Sequence, residues 1–204
     1  MQKTKITDLL IETNAISLNF DQKFKWASGI ISPIYCDNRI LLSFVKQREV
    51  IIDAFVENIK LNYPDVELIA GVATSGIGFA AMISQKMNLP MIYVRSQSKN
   101  HGKNSQIEGK FSKNQKVVVI EDLISTGQSV LNVCNALREE SVEVLGVQAI
   151  FTYQLSKATN NFANENVELK TLANRQDLIE SMKSSQNYSL ENIDDLNLFF
   201  NSLG

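Results

Sequence analysis

The chain has 204 residues, 44% of them hydrophobic, and a formal net charge of −2. This length suits a single globular domain with a substantial core, and the near-neutral balance excludes a broad electrostatic attraction to nucleic acid or to an anionic membrane. No stretch approaches the roughly 18 apolar residues of a membrane span, and acidic residues near the N-terminus argue against a signal peptide. We therefore expect a cytoplasmic protein that binds neither nucleic acid nor membrane. Cys36 and Cys134 are far apart and outside any metal-ligand spacing, so we expect two reduced packing residues.

The N-terminal part combines a short helix with an irregular segment. Apolar residues at helical spacing predict a helix over residues 7–14, and the segment from Phe24 to Arg39 follows it. Gly29 and Pro33 interrupt helical structure there, while the apolar residues around them favour short paired strands. This segment is either a cap over a ligand site or a hairpin that only covers a sheet edge.

A helix, a strand and a small-residue turn come next. We expect Ser43 to cap a helix that ends before Pro64, and the apolar run Leu68–Val72 to form the first core strand. Residues Ala73–Gly78 are small and precede another helical pattern. Because the backbone N–H groups of such a turn converge at a helix N-terminus, this is a candidate anion site.

Two well-known phosphate motifs can be compared with this turn. The P-loop is excluded, because Ile77 and Gly78 replace its lysine and its hydroxyl residue. Gly76, Gly78 and Ala81 fit the dinucleotide pattern G-x-G-x-x-A, but Arg95 stands where the ribose-binding acid should follow the next strand.

The segment from Arg95 to Gln115 follows a short apolar strand and has no periodicity. It carries six basic side chains against one acid, Glu108, and includes Lys99 and the only histidine, His101. A cationic loop of this length is either a lid that could hold an anionic leaving group such as diphosphate or a solvated hairpin.

The stretch from Lys116 to Ser129 contains the strongest local pattern. Its β-branched run predicts a strand buried on both faces, and Glu121 and Asp122 follow where that strand should leave the core. The hydroxyl-rich turn Ser125–Ser129 then precedes a helix. The turn can bind a phosphate, and the acids can accept sugar hydroxyls or help to hold a metal ion. A ribose 5-phosphate would use both the turn and the acidic pair. The alternative is a surface turn with a solvated acidic pair.

The remaining elements complete an α/β pattern. Residues 142–151 predict a buried strand, residues 166–172 an edge strand and residues 176–204 a helical tail. Alternating strands and helices predict a central, mostly parallel sheet flanked by helices, with both polar turns at its carboxyl edge. We expect one domain over residues 1–204, with a small hood over about residues 1–40, a core over about 41–175 and the tail.

Several of these segments resemble the type I phosphoribosyltransferases. Lys116–Ser129 resembles their phosphoribosyl-diphosphate (PRPP) signature, and Ala73–Gly76 resembles their diphosphate-binding loop. The segment 24–39 is similar to the N-terminal hood motif of the orotate-specific members, and residues 93–109 are similar to their catalytic loop. The resemblance implies the type I fold, a homodimer that shares the catalytic loop between subunits, and Mg²⁺-dependent transfer of ribose 5-phosphate from PRPP to orotate.

The resemblance also implies roles for individual residues. The catalytic residues would be Arg95, Lys99 and His101. Orotate would contact Ser125, Tyr35 and Cys36. Mg²⁺ would bind mainly through PRPP, near Glu121 and Asp122. The implied PRPP contacts are Arg95, Lys99, His101, Glu121, Asp122, Leu123, Ile124, Ser125, Thr126, Gly127, Gln128, Ser129, Thr74 and Ser75.

The chain departs from the pattern of some relatives at three places. Ala27 and Ser96 stand where relatives carry lysines, and no arginine follows the strand that ends near Phe151. The alternatives are a purine phosphoribosyltransferase, a nucleotide-sensing regulator that acts with a nucleic acid, and a dinucleotide-dependent oxidoreductase.

Overall fold

A computed structural model describes residues 6–26, 29–95 and 106–203. In chain order the strands are β1 (Ile16–Leu18), β2 (Phe24–Lys25), β3 (Ile31–Ser32), β4 (Ile34–Cys36), β5 (Leu68–Val72), β6 (Met91–Val94), β7 (Ile107–Glu108), β8 (Lys116–Ile124), β9 (Glu143–Thr152) and β10 (Leu169–Asn174). The helices are α1 (Ile6–Glu12), α2 (Val45–Asn62), α3 (Ser75–Met87), α4 (Gln128–Glu139), α5 (Ser156–Asn164), α6 (Arg175–Ser184) and α7 (Leu190–Ser202), with a 3-10 helix at Asn38–Ser43 before α2.

A six-stranded sheet in the order β10-β9-β8-β5-β6-β7 forms the centre of the fold. Only β7 runs antiparallel to its neighbour in this sheet. Successive side chains of a strand point to opposite sides, and helices cover both faces of this sheet. Val118 and Ile120 pack with α2 and α3 on one face, while Val117 and Val119 pack with α4 and α5 on the other. The predicted mostly parallel α/β sheet is confirmed.

The N-terminal strands form a separate small structure. The strand β1 pairs with β4, and β2 pairs with β3, both antiparallel. We call residues 16–26 and 29–43 the hood. Tyr153, directly after β9, and the C-terminal helix α7 support it. Trp26 stacks on Tyr153 with ring centroids 5.6 Å apart, and Trp26 and Phe199 of α7 meet edge to face, also at 5.6 Å. An ion pair of 2.7 Å between Lys23 and Asp195 adds to this contact.

Three local predictions about strands and helix starts were wrong. Ser43 does not cap α2, because it ends the 3-10 helix and Phe44 takes the cap position without a side-chain hydrogen bond. The helix α3 already begins at Ser75, so the small-residue turn is shorter than predicted. The strand β8 continues through Glu121 and Asp122 to Ile124 because its pairing with β9 continues that far. The antiparallel pairing of β7 with β6 agrees with the hairpin that the sequence left open for the segment without periodicity.

The helical tail was predicted correctly in type but not in every buried residue. Leu178, Met182, Ile193 and Leu196 are buried as expected. Leu190 is 78% exposed, because it is the first residue of α7 and faces away from the sheet. The helix α5 had no predicted counterpart. Among the described residues, no helix combines the length and the apolar character that a membrane crossing requires.

Candidate active site

The carboxyl ends of β5 and β8 lie side by side and open into a cleft of about 360 Å³. The residues that line it come from three parts of the chain: the hood, the end of β5 with the start of α3, and the end of β8 with the following turn. They are Cys36, Asp37, Arg39, Val72, Ala73, Thr74, Ser75, Glu121, Asp122, Leu123 and Ser129. The peptide bond between Ala73 and Thr74 is cis. The two polar turns therefore share one edge of the sheet, as predicted, and the hood closes one side of the cleft.

A smaller cavity of about 110 Å³ adjoins this cleft at the turn after β8. Glu121 and the continuous segment Leu123–Val130 line it. Gly127 precedes α4 with a φ of 77° and gives no side-chain cap, so the first N–H groups of α4 are available to a ligand. An anion of the size of a phosphate fits the chemistry of this cavity.

The unpredicted helix α5 holds this turn in place. Asn161 donates a hydrogen bond of 2.9 Å from Nδ2 to the carbonyl oxygen of Thr126. The ring of Phe162 lies so close to Gly127 that a Cβ atom there would be only 2.5 Å from the ring. Glycine is required at this position both by its positive φ and by this contact.

Glu121 and Asp122 form an acidic pair in which Glu121 is buried and Asp122 is partly buried. Glu121 is only 8% exposed, and its Oε1 accepts a hydrogen bond of 2.9 Å from the backbone N–H of Asp122. Burial raises the pKa of Glu121 well above its usual value, and the neighbouring Asp122 adds to that effect. Burial also raises the pKa of Asp122, although its interaction with Glu121 and the positive charge of Arg39 oppose the shift. Such a pair favours ligands that bring hydroxyl donors or positive charge.

The hood contributes one ion pair and one thiol to the cleft. Arg39 binds Asp37 through two contacts, Nε to Oδ1 at 2.6 Å and Nη2 to Oδ2 at 2.8 Å. These hydrogen bonds lower the pKa of Asp37, so its carboxylate stays ionised. Burial raises the pKa of the Cys36 thiol, and Asp122 and Asp37 raise it further. Cys36 therefore presents a neutral thiol, and both cysteines of the chain are free as expected.

The three residues expected to contact orotate occupy different positions. Cys36 lines the cleft and Ser125 lines the adjoining cavity. Tyr35 is 41% exposed, lies against the ring of Phe24 at 5.7 Å and lines neither space. Two of the three are therefore placed at the site in this structure.

The predicted catalytic residues fall on the segment after β6. Lys99 and His101 lie outside the described residues. Arg95 is described and lines neither cavity; its Nη2 binds Oε1 of Glu108 at 2.5 Å. Its backbone N–H donates to the carbonyl oxygen of Gln106 at 2.9 Å, which closes the base of this segment.

The glycine pattern of α3 has a packing explanation. A Cβ atom on Gly76 would collide with the carbonyl oxygen of Ile120, so glycine lets α3 approach β8. A Cβ atom on Gly78 would lie 3.1 Å from the side chain of Leu42. The G-x-G-x-x-A pattern therefore does not require a dinucleotide.

Sequence reasoning missed Asn38, a fully buried side chain that joins the hood to β8. It also gave Arg39 no role beyond a motif match. A polar residue at an unspecified position within the hood motif gives no local sign of a partner far along the chain, so only the fold could find this contact.

Comparisons with known proteins identify the family. Residues 45–167 match the phosphoribosyl transferase domain. The chain is 53% identical over 174 residues to an orotate phosphoribosyltransferase of Streptococcus mutans. The aligned region covers 85% of this chain and 83% of that protein. The chain belongs to the orotate phosphoribosyltransferase family. This confirms the resemblance found in the sequence and argues against a dinucleotide-dependent oxidoreductase.

Solved structures agree with this placement. The orotate phosphoribosyltransferase of Aeropyrum pernix superposes with a TM-score of 0.78 at 28% identity, over 88% of this chain and 99% of that one. The UMP synthase of Leishmania donovani gives a TM-score of 0.81 at 22% identity, over 99% of this chain and 43% of that one. At that identity, the second comparison supports the phosphoribosyltransferase fold alone.

Proposed function

We propose that the protein transfers ribose 5-phosphate from PRPP to orotate, giving orotidine 5′-monophosphate and diphosphate, a step of pyrimidine nucleotide synthesis. One observation supports this most directly. A single cleft brings together a hood, the turn after β5 and the acidic pair, and the phosphate-sized cavity adjoins it. Over 85% of its length the chain is also 53% identical to a relative that is named for this activity.

The parts of the cleft suit the parts of PRPP. The segment Leu123–Ser129 is proposed to bind the 5-phosphate through the N–H groups at the start of α4. Glu121 and Asp122 would accept hydrogen bonds from the ribose hydroxyls, and Thr74 and Ser75 would contact the diphosphate. Cys36, Tyr35 and Ser125 are proposed to contact the base.

The reaction exchanges one bond for another at the anomeric carbon of the ribose. The bond from this carbon to the diphosphate oxygen breaks, a bond to a ring nitrogen of orotate forms, and the proton that this nitrogen loses passes to the departing diphosphate or to solvent. Positive charge develops on the ribose and negative charge on the diphosphate, so the protein acts through positioning and charge stabilisation. Arg95, Lys99 and His101 are proposed to stabilise the diphosphate, with Lys99 as the group that stabilises or protonates it.

The residues of the cleft fit Mg²⁺ held mainly by substrate. Among the described residues, no group of three His, Cys, Asp or Glu side chains could hold a metal ion. Mg²⁺ usually binds one or two carboxylates together with substrate phosphates, and Glu121 and Asp122 offer such a pair. When bound, the ion would neutralise part of the diphosphate charge.

Two further expectations belong to this proposal. The first is a homodimer in which the segment containing Lys99 and His101 serves the partner subunit's site. The second is a cytoplasmic location.

The first experiment follows the ultraviolet absorbance of orotate with purified protein, PRPP and Mg²⁺. Hypoxanthine, adenine and uracil are tested in parallel. Consumption of orotate alone, and only with the metal, supports the proposal. Consumption of a purine would indicate a purine phosphoribosyltransferase, and binding of PRPP without turnover of any base would indicate the regulator.

A further inference from the structure

The side chain of Asn38 bridges the hood and the acidic pair. It is fully buried at the start of the 3-10 helix, two residues after Cys36. Its Nδ2 donates a hydrogen bond of 2.7 Å to the backbone carbonyl oxygen of Asp122, which lies 84 residues further along the chain. Its Oδ1 is buried and has no hydrogen-bond partner among the described residues.

This hydrogen bond replaces one that the sheet cannot supply. The pairing of β5 with β8 extends only as far as Gly71 and Ile120. Beyond that point β8 pairs with β9 alone, through Glu121, Leu123 and Ile124, and Asp122 has no partner residue in this pairing. The carbonyl oxygen of Asp122 accepts a hydrogen bond from Asn38 instead. A buried carbonyl without a partner costs roughly 1–3 kcal/mol, and Asn38 satisfies it.

Both backbone polar groups of Asp122 are therefore fixed by side chains. Glu121 accepts its N–H at 2.9 Å, and Asn38 donates to its carbonyl at 2.7 Å. This backbone unit carries the Asp122 side chain, which lines the cleft. The hood thus holds the backbone of a residue that belongs to another part of the cleft.

We propose that Asn38 is a positioning residue that aligns Asp122 for the ribose of PRPP and couples that alignment to the placement of the hood. The inference rests on the proposed function, because it assumes that Asp122 meets the ribose. Asn38 touches no substrate in this scheme and acts on the ribose site through the backbone of Asp122.

The test compares Asn38→Ala with a matched control, Gln148→Ala. Gln148 is also a buried amide, 1% exposed. Like Asn38, it donates one hydrogen bond from its amide nitrogen, and its amide oxygen has no hydrogen-bond partner among the described residues. Its Nε2 donates to Oδ1 of Asn58 at 3.2 Å, and it lines neither cavity of the site. Both variants should lose thermal stability, whereas only Asn38→Ala should raise KM for PRPP, by about fivefold for one lost hydrogen bond.

Two further measurements separate positioning from general damage. The inhibition constant of inorganic phosphate should stay unchanged in Asn38→Ala, because Asn38 binds neither of the proposed anion sites, the turn after β8 and the pair Thr74 and Ser75. The variant Asn38→Asp keeps the volume of the side chain and can donate only when protonated. Relative to the unsubstituted protein at the same pH, its KM defect for PRPP should be larger at alkaline than at mildly acidic pH.

The outcomes distinguish the inference from the function on which it rests. An unsubstituted protein that does not use PRPP refutes the proposed function and the inference with it. If the unsubstituted protein uses PRPP normally, an unchanged KM in both Asn38 variants refutes the inference alone. An equal rise of KM in Gln148→Ala refutes it as well, because the effect would then be a general loss of packing.

Discussion

Gly127→Ala should damage the phosphate-binding turn through two separable effects. Alanine at a φ of 77° costs about 1–2 kcal/mol, because its Cβ crowds the carbonyl oxygen that follows. The new Cβ would also lie 2.5 Å from the buried ring of Phe162, which must shift at a cost of about 1–3 kcal/mol. The free energy of unfolding should fall by about 2–5 kcal/mol in all, less than the total stability of a typical domain.

A control in the hood isolates the contact with the ring. Gly29 also has a positive φ, 89°, but nothing lies within 4 Å of the position of its Cβ. Gly29→Ala should therefore show only the backbone cost in urea denaturation, while Gly127→Ala shows both costs. Phe162→Leu combined with Gly127→Ala should lose less stability than the sum of the two single variants. KM for PRPP should rise in Gly127→Ala alone. Equal losses of stability in the two glycine variants would refute the role of Phe162.

Three further predictions concern the reacting groups. Lys99→Ala should lower kcat at least about tenfold, or 1.4 kcal/mol of transition-state stabilisation, with the fold intact by circular dichroism; full activity would remove its role at the diphosphate. Asp122→Asn should raise KM for PRPP about tenfold or more, since a hydrogen bond to a charged group is lost, and unchanged PRPP kinetics would contradict the ribose assignment. The pKa of Glu121 is higher in the folded than in the unfolded state. The free energy of unfolding therefore keeps the contribution of Glu121 below the unfolded-state pKa and loses it as pH rises through the folded-state pKa. In urea titrations at increasing pH, Glu121→Gln should make this fall in the free energy of unfolding smaller, and an unaltered fall would contradict the idea that burial raises the pKa of Glu121.

The sequence predicted those parts of the fold that depend on local pattern. The β-branched run Val117–Ile120 indicated a strand buried on both faces, and all four residues are fully buried in β8. The small-residue turns at Ala73 and Ser125 were placed correctly at the carboxyl edge. These predictions succeeded because side-chain periodicity and turn chemistry act over a few residues.

The parts that escaped prediction depend on distant partners. Nothing near Asn38 indicates that it binds the backbone of a residue 84 positions away. The strand β7 has only two residues, too few for an alternating pattern to be visible. The burial of Glu121 depends on the continued pairing of β8 with β9, which local sequence cannot show. Long-range pairing thus decides the details of the site.

The contact between the hood and α7 has a consequence for the order in which this protein can mature. During synthesis the hood is made early, yet Lys23 must wait for Asp195, 172 residues later, before their ion pair can form. Trp26 likewise lacks Phe199 as a neighbour until α7 has left the ribosome. The sheet can form beforehand from more local segments, since closing shorter loops costs less entropy. The part of the hood around Lys23 and Trp26, which α7 contacts, is therefore among the last surfaces of the protein to be completed.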